Sequence, residues 1–196
     1  MNSQLYTAIS RVAYAYVFYY LDFNLGLNGH SINFLPEWAC FALILSALPG
    51  LALAERSALL LRPLAWILLA ANAAEWVMAL LGVSLEAGDL YLVNVLIDVV
   101  ALYFHFQLLT NLASIARGVN ASRAQSLLRI RTVTTLVGTA VSALSALPSL
   151  AERAPDWLST AAAAALLVYV VIIVIWTLVT LFGLRADMRR GEGPAQ

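Results

Sequence analysis

Lysine is missing from this 196-residue chain; all eleven basic side chains are arginine. Together with abundant alanine, that bias suggests a GC-rich bacterial genome. Cysteine occurs once, as Cys40, which excludes an internal disulfide and a cysteine-built metal cage. Histidine occurs twice, as His30 and His105, without ligand spacing, so no metal site is expected. Charge is scarce as well. Charged residues make up 11% and hydrophobic residues 62%, where soluble domains carry about 25% charged residues. So apolar a chain is too short to enclose its apolar surface in water. Net charge is zero, and no basic patch supports nucleic-acid binding. Also missing are a Gly-x-Ser-x-Gly elbow, a His-Glu-x-x-His helix and a glycine-rich phosphate loop. No enzymatic activity and no cofactor are expected.

What the chain does have is long apolar runs. A helix crossing the bilayer needs about 20 such residues, and six segments qualify: 6–27, 35–54, 59–82, 90–116, 132–151 and 157–184. The expected fold is all-α, a single-domain, polytopic six-helix membrane bundle. Pro49-Gly50 is expected to break the second span internally, and Pro148 falls near the end of the fifth. Arginine placement gives an orientation. Arg56 and Arg62 flank the turn between spans two and three, Arg117, Arg123, Arg129 and Arg131 fill that between four and five, and Arg185, Arg189 and Arg190 follow span six. The opposite side has only Arg153, against Glu86, Asp89, Glu152 and Asp156. The positive-inside rule then puts both termini in the cytoplasm of a bacterial inner-membrane protein. Arg11, Asp22 and five tyrosines within the first span argue for a retained helix over a cleaved signal peptide.

Intramembrane polar residues concentrate in spans one, three and four. At 100° per residue, Asn94, Asp98 and His105 fall within about 40° of one another, and Asn72 and Glu75 are one turn apart. Asp98 lies roughly 12 Å inside the outer end of its span and Glu75 about 10 Å, with Asp22 near the outer end of span one. Like charges in low dielectric must protonate, pair or hold a cation. The functional reading is a proton, cation or substrate site in an outward-facing polar cavity formed by Asp98, Glu75, Asp22, Asn94, His105 and Asn72. The structural alternative is a protonated acid hydrogen-bonded to Asn94, Asn72 or a tyrosine. Gln107 and Asn111 fall off this line, at the cytoplasmic end, and need no special role. Arg11 either pairs with a carboxylate or reaches the inner headgroups.

The stretch AYAYVFYYLDFN, residues 13–24, places aromatics around the first helix, as an interfacial belt, core packing or cavity lining. Gly138, Ser142 and Ala146 recur every four residues on span five, allowing close approach to a neighbour or to a homo- or hetero-oligomeric partner. The arginine-rich segment 117–131, with Leu127, Leu128 and Ile130, reads as a short amphipathic helix on the inner leaflet.

LDFNLGL at 21–27, followed by LPEW at 35–38, resembles a pattern in small uncharacterised bacterial six-helix integral membrane proteins, and YFHFQLL at 103–109 has the same character. The resemblance implies no activity and singles out Asp22, Asn24, Pro36 and Glu37. In size, helix number and topology the expected architecture is also similar to the substrate-binding membrane subunits of energy-coupling-factor transporters, but Ala8, Ala13 and Ala15 lack the Ala-x-x-x-Ala spacing of their first helix. Two functions follow from these readings. One is a permease-like protein taking a small molecule or ion; the other is a non-catalytic accessory subunit that binds a partner protein.

Overall fold

The structure, a computed structural model, describes residues 3–20, 24–27, 30–33, 36–81, 91–145 and 155–190. It is helical apart from one short hairpin. Helix α1 (Ser3–Tyr20) buries Leu5, Ala8, Ile9, Val12, Ala13 and Tyr16, the three-and-four spacing of a helix with one packed face. It ends at Tyr20, not at the expected residue 27. Strands β1 (Asn24–Leu27) and β2 (His30–Asn33) follow, antiparallel with Leu27 opposite His30. Two residues, Asn-Gly in the sequence, join them, a link that strongly favours a hairpin.

Helix α2 (Glu37–Ala52) starts after Pro36 and carries Glu37 in its first turn, where the helix dipole favours an acid. The expected break at Pro49 does not occur; the helix continues to Ala52. Two contacts from α1 accompany that continuity. Arg11 Nη1 donates to the Ser46 carbonyl at 2.8 Å, close to where the proline ring weakens the ladder. A Cβ at Gly50 would stand 2.7 Å from Ala8 Cβ and 2.9 Å from the Gln4 carbonyl, so only glycine lets α1 and α2 approach this closely.

A 3-10 helix, Arg56–Leu61, leads into α3 (Arg62–Leu80), whose Pro63 occupies the favoured first turn. Helix α4 runs Tyr91–Arg117, α5 Ala121–Ser145 and α6 Asp156–Arg190. The start of α5 corrects the sequence reading. The arginine-rich segment is not a separate surface helix but the first turns of α5. Asn120 Oδ1 caps it by accepting from the Ser122 and Arg123 amides at 3.1 and 3.3 Å. Leu127 and Ile130, expected to face the leaflet, are fully buried in the core.

Each helix packs against the next, and α6 returns to α1, closing a ring. Among the described residues, four stretches are long and apolar enough to cross a membrane: Arg56–Leu80, Leu92–Arg117, Ala121–Leu144 and Trp157–Arg190. Helix α2 is apolar but shorter. At 1.5 Å per residue α1 and α2 extend about 27 and 24 Å, against about 40 Å for α4 and 52 Å for α6. The core therefore gathers at one end of the ring. Buried residues begin at Phe104 on α4, finish at Ile130 on α5 and begin at Ile173 on α6. This packed end carries the arginines. At the opposite, open end α4, α5 and α6 extend past α1 and α2 with exposed Leu92, Leu96, Leu144, Leu158 and Leu167.

Candidate functional site

Where α1 and α2 end, their aromatic side chains surround α4. Tyr16, near the end of α1, places its hydroxyl 3.1 Å from His105 Nδ1. The His105 ring lies 4.5 Å from that of Tyr19, 5.6 Å from Tyr16 and 5.4 Å from Phe104, and Phe41 of α2 packs 5.6 Å from Phe104. His105 is 7% exposed, and its Nε2 is buried with no hydrogen-bond partner among the described residues. Edge-on geometry prevails, as ring quadrupoles favour. The result is a cluster of aromatic rings from α1, α2 and α4, with one imidazole inside it.

The other residues expected to join His105 do not. Asn94 and Asp98 are exposed, on the part of α4 that stands beyond α1 and α2. They share a helical line with His105 but not its enclosure, because the shorter helices have ended. Glu75 is exposed on α3, and neither it nor Asp98 has a hydrogen bond or ion pair among the described residues. Asn72 is half-buried and donates to the Leu68 carbonyl at 2.8 Å, back-bonding within its own helix. Asp22 lies outside the described residues. Arg11 is exposed and donates to the Ser46 carbonyl, and no carboxylate among the described residues pairs with it.

The built polar site is elsewhere, on the opposite face of α4. Gln107, Thr110, Asn111, Ser114 and Arg117 fall between about 120° and 240° around the helix from His105. With Glu55 and Ser57 from the turn after α2, and Arg131 of α5, they line a half-open cavity of about 250 Å³ at the arginine-bearing end. Ser114 Oγ donates to Glu55 Oε2 at 2.7 Å. Ser57 Oγ lies 2.9 Å from Glu55 Oε1 and 3.0 Å from Asn111 Oδ1, its single proton serving one at a time. Gln107 Nε2 donates to Asn111 Oδ1 at 3.1 Å. The donated hydroxyls of Ser114 and then Ser57 hold the Glu55 carboxyl below the usual carboxylate range.

Arg131 crosses the cavity wall. Its guanidinium lies 4.6 Å from the centre of the Phe106 ring and donates through Nη1 to Thr110 Oγ1 at 3.1 Å. Its Nε is buried without an acceptor among the described residues, as is Asn111 Nδ2, and Asn111 is 2% exposed. Arg117 is exposed at the mouth with no hydrogen bond or ion pair among the described residues. Among the described residues the one ion pair in the chain is Arg123 with Asp187, 3.3 Å, so neither guanidinium of the cavity is neutralised by Glu55.

Sequence reasoning set Gln107 and Asn111 aside and did not single out Glu55, Ser57, Ser114 or Arg131 for a site. A signal was present: Gln107, Asn111 and Ser114 recur at four and three residues, a polar stripe on an apolar helix. No group of three or more His, Cys, Asp or Glu side chains suited to a metal ion occurs among the described residues.

Among the described residues, four helices are long and apolar enough to cross a bilayer, which fits the class of helical membrane proteins. Comparison with protein-family models, with curated proteins and with solved structures finds no match.

Proposed function

We propose that this is a small permease-like protein of a bacterial inner membrane, crossing it six times with both termini in the cytoplasm. The supporting observation is the aromatic cluster around His105, which this reading takes as a plug between an open end bearing acids and a packed end bearing a polar cavity. In this reading the open end faces outward, as the arginine bias indicates. Asp98 binds the proton or cation, with Glu75 and Asp22 as coupled acids and Asn94 and Asn72 as neutral support. His105, held by Tyr16, is the polar step within the plug. Exposed carboxylates without partners are available to a cation in a way that paired ones are not.

The accessory-subunit reading has less behind it. Gly138, the first residue of the small-residue face, is already engaged within the chain, since a Cβ there would stand 3.0 Å from Leu102 Cδ1 of α4. Ser142 is exposed, and Ala146 lies outside the described residues.

The test is proton or monovalent-cation flux into proteoliposomes under an imposed gradient. Wild type should dissipate the gradient faster than empty vesicles, and Asp98→Asn with Glu75→Gln should remove most of the difference. If wild type, double variant and empty vesicles behave alike, this reading is wrong.

A further inference from the structure

The cavity at the arginine-bearing end places an anionic acceptor and cationic donors side by side without pairing them. Among the described residues Glu55 is served by the Ser57 and Ser114 hydroxyls and the Ser57 backbone amide but by no cation, and Arg117 by no hydrogen bond or ion pair, while Arg131 Nε and Asn111 Nδ2 are buried donors lacking acceptors. Buried donors normally find acceptors. A simple anion would satisfy the guanidiniums but face the Glu55 carboxylate. A simple cation would meet the reverse objection. One class of ligand answers both halves: a small zwitterion, whose oxyanion takes the Arg117, Arg131 and Asn111 donors while its ammonium donates to Glu55. About 250 Å³ suits a group of that size.

We propose that this cavity is a binding site for a small zwitterion with a primary ammonium and an oxyanion. Two sources share that chemistry: the phosphoethanolamine headgroup of a membrane lipid, and a free amino acid. The site stands apart from the transport reading, since it lies across α4 from Asp98 and needs no solute to cross.

The experiment uses the full chain in phosphatidylcholine nanodiscs, whose quaternary headgroup has no N–H to give Glu55. Thermal midpoints are followed while phosphatidylethanolamine, phosphatidylglycerol, soluble glycerophosphoethanolamine or L-alanine is added. Wild type should show a saturable rise with phosphatidylethanolamine or with a soluble zwitterion, and a weaker one with phosphatidylglycerol. A response confined to the lipid identifies the headgroup; a response to L-alanine identifies a free solute. Glu55→Gln should erase the preference for phosphatidylethanolamine over phosphatidylglycerol. Arg117→Gln, which removes no hydrogen bond or ion pair among the described residues, should weaken either ligand about tenfold, as for one charge-assisted hydrogen bond. Asp98→Asn should leave these shifts intact, which separates failure here from failure of transport. The proposal is overturned if phosphatidylglycerol matches phosphatidylethanolamine in wild type while no soluble zwitterion acts. It is equally overturned if Glu55→Gln leaves every shift unchanged.

Discussion

Glu55 and Gly50 lie five residues apart, and each does work that its side chain alone does not announce. Gly50 matters for what it omits, because any Cβ there would collide with Ala8 and the Gln4 carbonyl of α1. Glu55 matters for its partners. Two donated hydroxyls favour its charged form, so its folded pKa lies below the ordinary value of 4.5. The linkage follows directly: a depressed carboxyl pKa adds stability above the ordinary value, and that stability is lost as pH falls through the folded value. The group is largely solvent-accessible, so screening keeps the effect modest. On acidification below about pH 5, the thermal midpoint of wild type should fall more steeply than that of Glu55→Gln. Parallel midpoint curves for the two proteins would remove the assigned role of Ser57 and Ser114.

At the level of elements, α5 and α6 meet at the arginine-bearing end through one small network. Asn120 caps α5 with its carbonyl oxygen and donates through Nδ2 to Asp187 of α6 at 2.8 Å, while Arg123 Nε reaches the same carboxylate. The Arg123 guanidinium lies where a Cβ at Gly183 would sit. Asn120→Ala therefore removes a cap and an interhelical bond together, and should cost about 1–2 kcal/mol. Chemical denaturation should show Asn120→Ala to be more destabilised than Asp187→Asn, which keeps the cap; equal losses would mean that the cap contributes nothing. This network also explains what could be read from the sequence. The bounds of α4 were legible because its run from 90 to 116 stays predominantly apolar and free of proline and glycine, and the structure gives Tyr91–Arg117. The start of α5 was not, since four arginines in 117–131 look like a loop until Asn120 is seen as a cap with Leu127 and Ile130 in the core. The hairpin was hidden by apolar Leu25 and Leu27, which prolonged the first span. The inner cavity was hidden by distance along the chain, because Ser57 and Asn111 are 54 residues apart and Glu55 and Ser114 are 59. Periodicity along one helix does not reveal which partner lies across from it.

For the whole molecule, the two ends differ in both packing and charge, and their sidedness can be read directly. In a Cys40→Ala background, which removes the single buried thiol, Asp98→Cys should react with a membrane-impermeant maleimide added to intact cells. Arg117→Cys should react only after the membrane is opened. The reverse pattern would invert the orientation, and equal reaction of both before opening would place both ends on one side. Helix length bears on the surroundings too. With α6 about twice the length of α1 or α2, and hydrocarbon about 30 Å thick, the proposed six-span topology would present lipids with a wall of uneven height. Acyl chains beside α1 and α2 would then compress while those beside α6 stretch, each at a fraction of a kcal/mol per ångström. In that topology the protein acts as a wedge, leaning in the bilayer and thinning it along one flank.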